Sequence, residues 1–216
     1  MIDAVVFDLD GVLIETEEIW DEVRERLARE GGGRYDAEAQ RAMMGMSSLE
    51  WSRYMSEELG LPGSPEEISS EVVRRMVERY RLELPLLEGA AATVEALAKR
   101  WPLGLASSSN RELIDAALEL GGLTGLFAAT VSSEEVPRGK PAPDVYLEAA
   151  RRLGVDPERC AAIEDSHSGI RSASAAGMRV VAIPNRSYPP DGKALALADV
   201  VLRSIEQLSA ESIVRK

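Results

Sequence analysis

The sequence predicts an α/β fold, a doubly wound parallel sheet into which an all-helical segment is inserted after the first strand. A short apolar run, Ala4–Phe7, stops at a polar loop, as a buried parallel strand does. From residue 85 onward short apolar runs alternate with helical patterns, whereas between residues 16 and 84 no convincing strand occurs. We therefore assign 1–15 and 85–216 to a core domain and 16–84 to a helical insertion.

The insertion contains four predicted helices. In the first, apolar residues recur at helical spacing between charged ones, namely Ile19, Trp20, Val23 and Leu27. Three glycines at 31–33 end this helix. Further helices are predicted over 36–44, 48–59 and 66–81.

The core domain is predicted from alternating helices and strands. Ser109 and Glu112 have the spacing of a capping box at the start of a helix that ends near Gly121. The other predicted helices span 89–100, 143–153 and 167–176, with a last one from Ser204. The predicted strands span 103–106, 128–131, 160–163, 180–183 and 200–202. This order implies a parallel sheet with helices on both faces.

Composition excludes several classes of function. With 37 acidic and 25 basic residues the formal net charge is −12, so we expect neither nucleic acid nor an anionic membrane as a partner. No apolar run reaches the roughly 18 residues of a membrane span, and Met1 leads into a strand and not a signal peptide. We expect a cytoplasmic monomer or small homo-oligomer.

One cysteine and one histidine exclude an internal disulfide and a multi-histidine metal site, which leaves an oxygen-ligated ion such as Mg²⁺.

Polar residues follow the ends of the predicted strands, where an open parallel sheet binds its ligands. They are Asp8, Asp10, Ser107, Lys140 in the loop after the third strand, Glu164 and Asp165. Four carboxylates this close repel one another unless a cation joins them, and Mg²⁺ is the simplest such cation. A phosphate held by Ser107 and Lys140 completes the charge balance.

This set of residues favours phosphoryl transfer. A carboxylate at Asp8 can attack phosphorus to give an acyl phosphate, which water then hydrolyses. Asp10, two residues on, shares a face with Asp8 if the backbone is extended. It can therefore protonate the leaving oxygen and later deprotonate the water.

Four motifs in order, Asp8-Leu9-Asp10-Gly11-Val12-Leu13, Ser107, Lys140-Pro141 and Glu164-Asp165-Ser166, resemble those of the haloacid dehalogenase (HAD) superfamily. The match covers essentially the whole chain and implies a Rossmann-like core. The insertion after the first motif is similar to the C1 cap of the branch that contains β-phosphoglucomutase and phosphoglycolate phosphatase. We call residues 16–84 the cap.

The resemblance also implies roles for individual residues. Asp8 is similar to the family's nucleophile and Asp10 to its general acid/base. The implied phosphate-binding residues are Leu9 and Ser108 through their backbone amides, and Ser107, Asn110 and Lys140. The implied Mg²⁺ ligands are Asp8, the Asp10 carbonyl, Glu164 and Asp165. In the cap, the candidate specificity residues are Trp20, Gly45, Met46 and Ser47. The large apolar side chains that either line the substrate pocket or only pack the cap are Trp20, Met43, Met44 and Met46.

Departures from the family's patterns separate its branches. True dehalogenases lack the second aspartate of the first motif, so Asp10 argues against dehalogenation. Phosphonoacetaldehyde hydrolases need a cap lysine, and this chain has none before Lys99. β-Phosphoglucomutases carry a cap histidine, lysine and arginine, but here Trp20 stands at the histidine position and Ser48 at the arginine position. The stretch 15–20 resembles sugar and polyol phosphate phosphatases.

The resulting hypothesis is a Mg²⁺-dependent phosphatase of small phosphorylated metabolites that acts through an aspartyl phosphate. A phosphomutase is the enzyme alternative, and a phosphorylatable receiver domain is the non-enzyme alternative. Two segments, 14–16 and 84–87, are predicted hinges for closure of the cap.

His167 is interpreted as an incidental polar residue at a helix start. The cap arginines are interpreted mostly as a solvated face, although one of them could bind a distal substrate phosphate; they are Arg24, Arg26, Arg53, Arg74, Arg75 and Arg79.

Overall fold

The computed structural model describes residues 1–43 and 46–214. Six parallel strands form one sheet in the order β3-β2-β1-β4-β5-β6. Their bounds are β1 Ala4–Phe7, β2 Leu103–Ser107, β3 Phe127–Ser132, β4 Cys160–Glu164, β5 Arg179–Ala182 and β6 Val200–Val201. The predicted fold class is confirmed, and each predicted strand lies within two residues of an observed one.

Helices cover both faces of the sheet. The core helices are α5 Ala90–Ala98, α6 Arg111–Leu120, α7 Asp144–Leu153, α8 His167–Ala175, α9 Gly192–Leu195 and α10 Ala210–Val214. Alternation along β1 directs Val5 and Phe7 into the cluster packed by α5 and α6, and Val6 into the cluster packed by α7 and α8. The sheet is therefore buried on both sides.

The cap consists of helices throughout its described part. They are α1 Glu17–Glu30, α2 Ala37–Met43, α3 Ser48–Glu57 and α4 Pro65–Leu82. Capping boxes begin α3 at Ser47 and Glu50 and α4 at Ser64 and Glu67, and these fix the helix starts. Within the residues described, no helix has the length and hydropathy needed to cross a membrane.

The two chain segments that join cap and core run side by side. Ile14 and Leu86 form an antiparallel bridge, the Glu15 N–H donates to the Pro85 carbonyl at 2.9 Å, and the Leu87 N–H donates to the Leu13 carbonyl at 2.9 Å. The chain therefore enters and leaves the cap at one point. These are the segments predicted as hinges, and their motion stays a prediction.

Three local expectations differ from the structure. Ser109 does not cap α6; its hydroxyl donates to Asp10, and the Arg111 N–H instead donates to the Glu134 carboxylate at 2.9 Å. The last helix does not start at Ser204, because 205–207 forms a 3₁₀ turn and reciprocal bonds between Ser209 and Ser212 begin α10. The short helix α9 was not predicted; the Asp191 side chain caps it.

Candidate active site

The sheet order brings the predicted residues to one edge. β1 lies between β2 and β4, so the carboxyl ends of these three strands meet. Asp8 follows β1, Ser107 ends β2, and Glu164 ends β4. The strand order changes direction beside β1, and such switch points are where open α/β sheets bind ligands.

Lys140 lies between two carboxylates at the centre of this edge. Its Nζ is 2.9 Å from Asp8 Oδ1 and 2.6 Å from Glu164 Oε1, and its side chain is 2% exposed. The Tyr146 hydroxyl, on α7, donates to the same Glu164 oxygen at 2.7 Å. Sequence analysis did not find Tyr146, since a tyrosine inside an amphipathic helix is indistinguishable from core packing.

Glu164 accepts hydrogen bonds on both carboxylate oxygens. Oε1 accepts from Lys140 and Tyr146, while Oε2 accepts from the Asp165 N–H at 3.0 Å and from the N–H and hydroxyl of Ser166 at 3.3 and 3.2 Å. A carboxylate offers about four lone-pair sites, so these donors fill the hydrogen-bond acceptor sites of Glu164. In this arrangement Glu164 holds Lys140 and the loop after β4 in place, and it would have to release a donor to ligate a metal.

The pKa values follow from burial and crowding of like charges. Burial, together with repulsion by Glu164 and Asp10, raises the pKa of Asp8 to about 7 despite the opposing effect of Lys140. Burial and the charges of Glu164 and Asp8 raise the pKa of Asp165 well above its ordinary value. Burial alone would lower the pKa of Lys140, but attraction by Asp8 and Glu164 outweighs it and raises this pKa. Lys140 is thus a fixed cation.

Three carboxylates are placed to hold a metal ion. One oxygen each of Asp8, Glu164 and Asp165 lies within 4.8 Å of the others. All three donors are hard oxygens, which suit Mg²⁺, and a divalent cation would relieve the repulsion that raises the carboxyl pKa values. The residues present therefore fit the ion, with the least occupied oxygens on Asp8 and Asp165.

The Asp10 carboxylate lies apart from that cluster and is held by hydroxyl groups. Thr16 Oγ1 donates to Asp10 Oδ1 at 2.5 Å, and Ser109 Oγ donates to Oδ2 at 2.6 Å. Ser107 Oγ lies 3.5 Å from Oδ2 and accepts the Ser109 N–H at 2.9 Å. Neither Thr16 nor Ser109 was predicted as a site residue, because Ser109 was interpreted as part of a helix cap and Thr16 only as part of a hinge segment.

A cavity of about 340 Å³ lies between core and cap. Asp8, Asp10, Ser108, Lys140 and Asp165 line it from the core. The cap contributes two of the predicted specificity residues, Trp20 and Met46. His167 also lines it, with Nδ1 3.4 Å from Asp191 Oδ1.

Besides the fully buried Glu164, four of the predicted residues lie behind or beside this cavity. Leu9 and Ser107 are buried beneath it. Asn110 joins cap to core, accepting from the Ser48 hydroxyl at 2.7 Å and donating to Glu134 at 2.6 Å. Ser47 borders a neighbouring groove together with Asn110. Gly45, the remaining cap candidate, and Met44 lie outside the described residues.

Two glycines permit the close packing of the carboxylates. Gly11 has φ +77°, and a Cβ there would overlap the Asp165 carboxylate. A Cβ at Gly169, on α8, would overlap the Glu164 carboxylate. The motif containing Gly11 was recognised from the sequence, but Gly169 was not, since a glycine inside a helix gives no signal of what approaches it.

A carboxylate and lysine centre at the switch point of a parallel sheet, covered by a helical cap, defines a capped α/β enzyme. Residues 2–177 match the family model described as haloacid dehalogenase-like hydrolase. The chain belongs to this family of hydrolases.

Known relatives and solved structures extend the match over the whole chain. Hexitol phosphatase B of Escherichia coli (strain K12) is 33% identical over 219 residues, covering 97% of this chain and 96% of that protein. The bifunctional riboflavin kinase/FMN phosphatase of Arabidopsis thaliana is 32% identical over 210 residues, 96% of this chain; the chain spans 55% of that protein's length. The crystal structure of CbbY from Rhodobacter sphaeroides in complex with phosphate superposes with a TM-score of 0.85 at 28% identity, covering 99% of both chains.

Replacing Gly11 by alanine should disrupt the site. We expect the free energy of unfolding to fall by about 2–4 kcal/mol, because the new Cβ adds a clash with Asp165 to the cost of a positive φ. Urea unfolding measures this. Gly122→Ala is the matched control: its φ is +67°, but nothing lies within 4 Å of the added Cβ, so it should cost only about 1–2 kcal/mol. Equal losses in the two variants would contradict the close approach of Asp165.

The metal-free protein should become less stable as pH rises from about 5.5 to 7. The folded state keeps a proton on Asp8 up to about pH 7, whereas the unfolded chain loses it near 3.8, so between these two values a rise in pH favours the unfolded state. We expect a loss of about 1–2 kcal/mol in urea unfolding with EDTA. Asp8→Asn should flatten the part of this slope due to Asp8. A stability that rises with pH over this window would refute the assignment.

Proposed function

We propose that the protein is a Mg²⁺-dependent phosphatase of small phosphorylated metabolites, most of all sugar or polyol phosphates, that acts through an aspartyl phosphate on Asp8. The observation that carries the proposal is the position of Asp8. Its carboxylate faces a cavity of small-molecule size, contacts a buried lysine, and lies within a cluster of oxygens suited to a divalent cation. The phosphatase relative that matches the full chain supports the same reaction class.

In the first step Asp8 forms a bond to phosphorus and the bond to the leaving oxygen breaks. The Lys140 ammonium attracts the phosphoryl oxygens and holds the Asp8 carboxylate through its 2.9 Å contact. Asp10 donates a proton to the leaving alkoxide, which departs as an alcohol. The product of this step is a phosphorylated Asp8 and an ionised Asp10.

In the second step water hydrolyses that acyl phosphate. Asp10, now a carboxylate, takes a proton from the water as its oxygen bonds to phosphorus, and the bond to Asp8 breaks. Inorganic phosphate leaves, and both aspartates return to their starting state. Bound Mg²⁺, held by Asp8 and Asp165 with the Asp10 carbonyl and Glu164, would supply positive charge for the transferring phosphoryl group.

The cap has two roles in the proposal. It selects the substrate, since Trp20 and Met46 line the cavity from the cap side, and by closing it excludes bulk water. The mutase alternative needs a second phosphate site at the position of Ser48, and the Ser48 hydroxyl is instead engaged by buried Asn110. The cytoplasmic location and the assembly as a monomer or small homo-oligomer stay predictions.

Replacement of Asp8 by asparagine should abolish turnover. We expect phosphate release from a panel of sugar and polyol phosphates with Mg²⁺ to fall by roughly 10⁴-fold or more, because the nucleophile is lost. Repeating the assay of the same panel with EDTA tests whether phosphate release requires a divalent metal. Asp115→Asn, an exposed aspartate on α6, is the matched control and should keep full activity. Near-normal release by Asp8→Asn would disprove the mechanism, and isomerisation without release would favour a mutase.

Replacement of Asp10 by asparagine should separate the two steps. With an alkyl phosphate the first step should slow by about 10²–10⁴-fold, because the leaving alkoxide receives no proton. With p-nitrophenyl phosphate, whose leaving group needs no proton, rapid mixing should show a burst near one nitrophenolate per enzyme followed by slow turnover. Steady release from the start, at the wild-type rate, would show that Asp10 does not activate the water.

A further inference from the structure

Arg24 differs from the other cap arginines named above. Arg26, for example, is 72% exposed in its side chain and pairs with Glu30 on the same face of α1. Arg24 instead turns inward and lines the cavity that contains Asp8 and Lys140. Arg24 is therefore the exception among the cap arginines, which were interpreted mostly as a solvated face, and the sequence could not single it out because a charge pattern along a helix does not show which cation covers a cavity.

Two tryptophans hold the Arg24 guanidinium. Its Cζ lies 4.5 Å from the centre of the Trp20 ring and 4.8 Å from that of Trp51. The two rings meet edge to face, with their centres 5.9 Å apart. Contacts with aromatic faces stabilise a guanidinium without using its N–H groups. The donors of Arg24 are therefore left available.

Arg24 is half-buried, and its guanidinium has no ion pair within 4 Å among the residues that the structure describes. Its Nε is buried and has no hydrogen-bond partner among the described residues. Burial lowers the pKa of Arg24 to about 10, although Tyr35, Glu17 and Asp21 oppose the shift, so the group is still charged at neutral pH. Of these neighbours, Asp21 already accepts a hydrogen bond from Tyr35 at 2.6 Å. An unpaired cation in such a place is costly unless a ligand compensates it.

We propose that Arg24 determines specificity by binding a carboxylate at the end of the substrate remote from the transferred phosphate. This inference rests on the proposed function: within the small phosphorylated metabolites it favours phosphorylated hydroxy acids over the sugar and polyol phosphates named there. The planar fork of a guanidinium matches the two oxygens of a carboxylate.

A monoanion suits this part of the cavity better than a dianion. Glu17 also lines the cavity and lies close enough to Arg24 to oppose the lowering of its pKa. A second phosphate would place about two negative charges beside the single positive charge of Arg24 and the carboxyl group of Glu17. A carboxylate adds one negative charge, which matches the one positive charge of Arg24. A neutral hydroxyl would leave the charge of Arg24 uncompensated.

The test uses two substrate pairs that differ only in the remote group. The pairs are 3-phosphoglycerate with glycerol 3-phosphate, and 6-phosphogluconate with glucitol 6-phosphate. The ratio of kcat/KM within each pair, acid over alcohol, is the measured quantity. We expect the wild-type ratio to exceed one by roughly ten- to hundredfold in the pair whose length fits the cavity.

Variants test whether Arg24 is the source of the preference for the acid over the alcohol. Arg24→Gln should reduce the ratio to near one, and Arg24→Lys should keep part of it, since lysine retains the charge but not the fork. Arg26→Gln, on the same helix and exposed, should leave the ratio unchanged. The temperature of unfolding of Arg24→Gln is the structural control, because a merely structural role in the tryptophan contact would lower it and leave the ratio unchanged.

The outcomes separate this inference from the proposed function. Release from both alcohols with no preference in either pair, or a preference that survives in Arg24→Gln, overturns the role of Arg24 and leaves the phosphatase proposal standing. A fall in unfolding temperature with an unchanged ratio also overturns it. No phosphate release from any of the four compounds with Mg²⁺ would instead count against the proposed function itself.

Discussion

The ammonium of Lys140, buried between Asp8 and Glu164, is the interaction on which the rest of the site depends. Without it the carboxylates that converge at this edge would lose the cation that contacts both Asp8 and Glu164, and their mutual repulsion would oppose folding. The lysine in turn needs both partners, because an isolated buried ammonium costs several kcal/mol. The ends of β1 and β4 and the loop after β3 are therefore held together by one set of charges. Tyr146 on α7 and the glycine at 169 complete the enclosure.

One face of α1 connects the chemistry to the cap. Thr16, Trp20 and Arg24 are spaced four residues apart, so they lie along one side of the helix. Thr16 donates to Asp10, and Trp20 and Arg24 line the same cavity farther into the cap. A movement of α1 would thus change the surroundings of Asp10, the proposed acid/base, and of the part of the cavity beside Arg24 together. In the proposed mechanism, this arrangement lets the cap select a substrate without supplying a reacting group.

The parts of the molecule predicted correctly from the sequence are those that depend on local pattern. Short apolar runs identified the strands, and the polar residues at or after their ends, such as Asp8 and Glu164, identified the edge where the carboxylates converge. Contacts between distant segments gave no such signal. Ser109 was expected to cap a helix but donates to Asp10, because a tertiary partner competes with the local one. The orientation of Arg24 likewise depends on where Trp51, twenty-seven positions away along the chain, is packed.

The paired segments at Ile14 and Leu86 bear on how the chain folds and how such proteins diversify. The two ends of the cap are hydrogen-bonded neighbours. The insertion therefore leaves and re-enters the core at adjacent positions, like a loop whose ends are already closed. The entropy of closing a loop grows only with the logarithm of its length, about 0.6 kcal/mol for each doubling. A longer, shorter or differently folded insertion therefore perturbs the sheet little, provided that its ends also meet. Exchange of whole insertions at this junction is a low-cost route to new substrates, whereas the buried charges of the core tolerate little change.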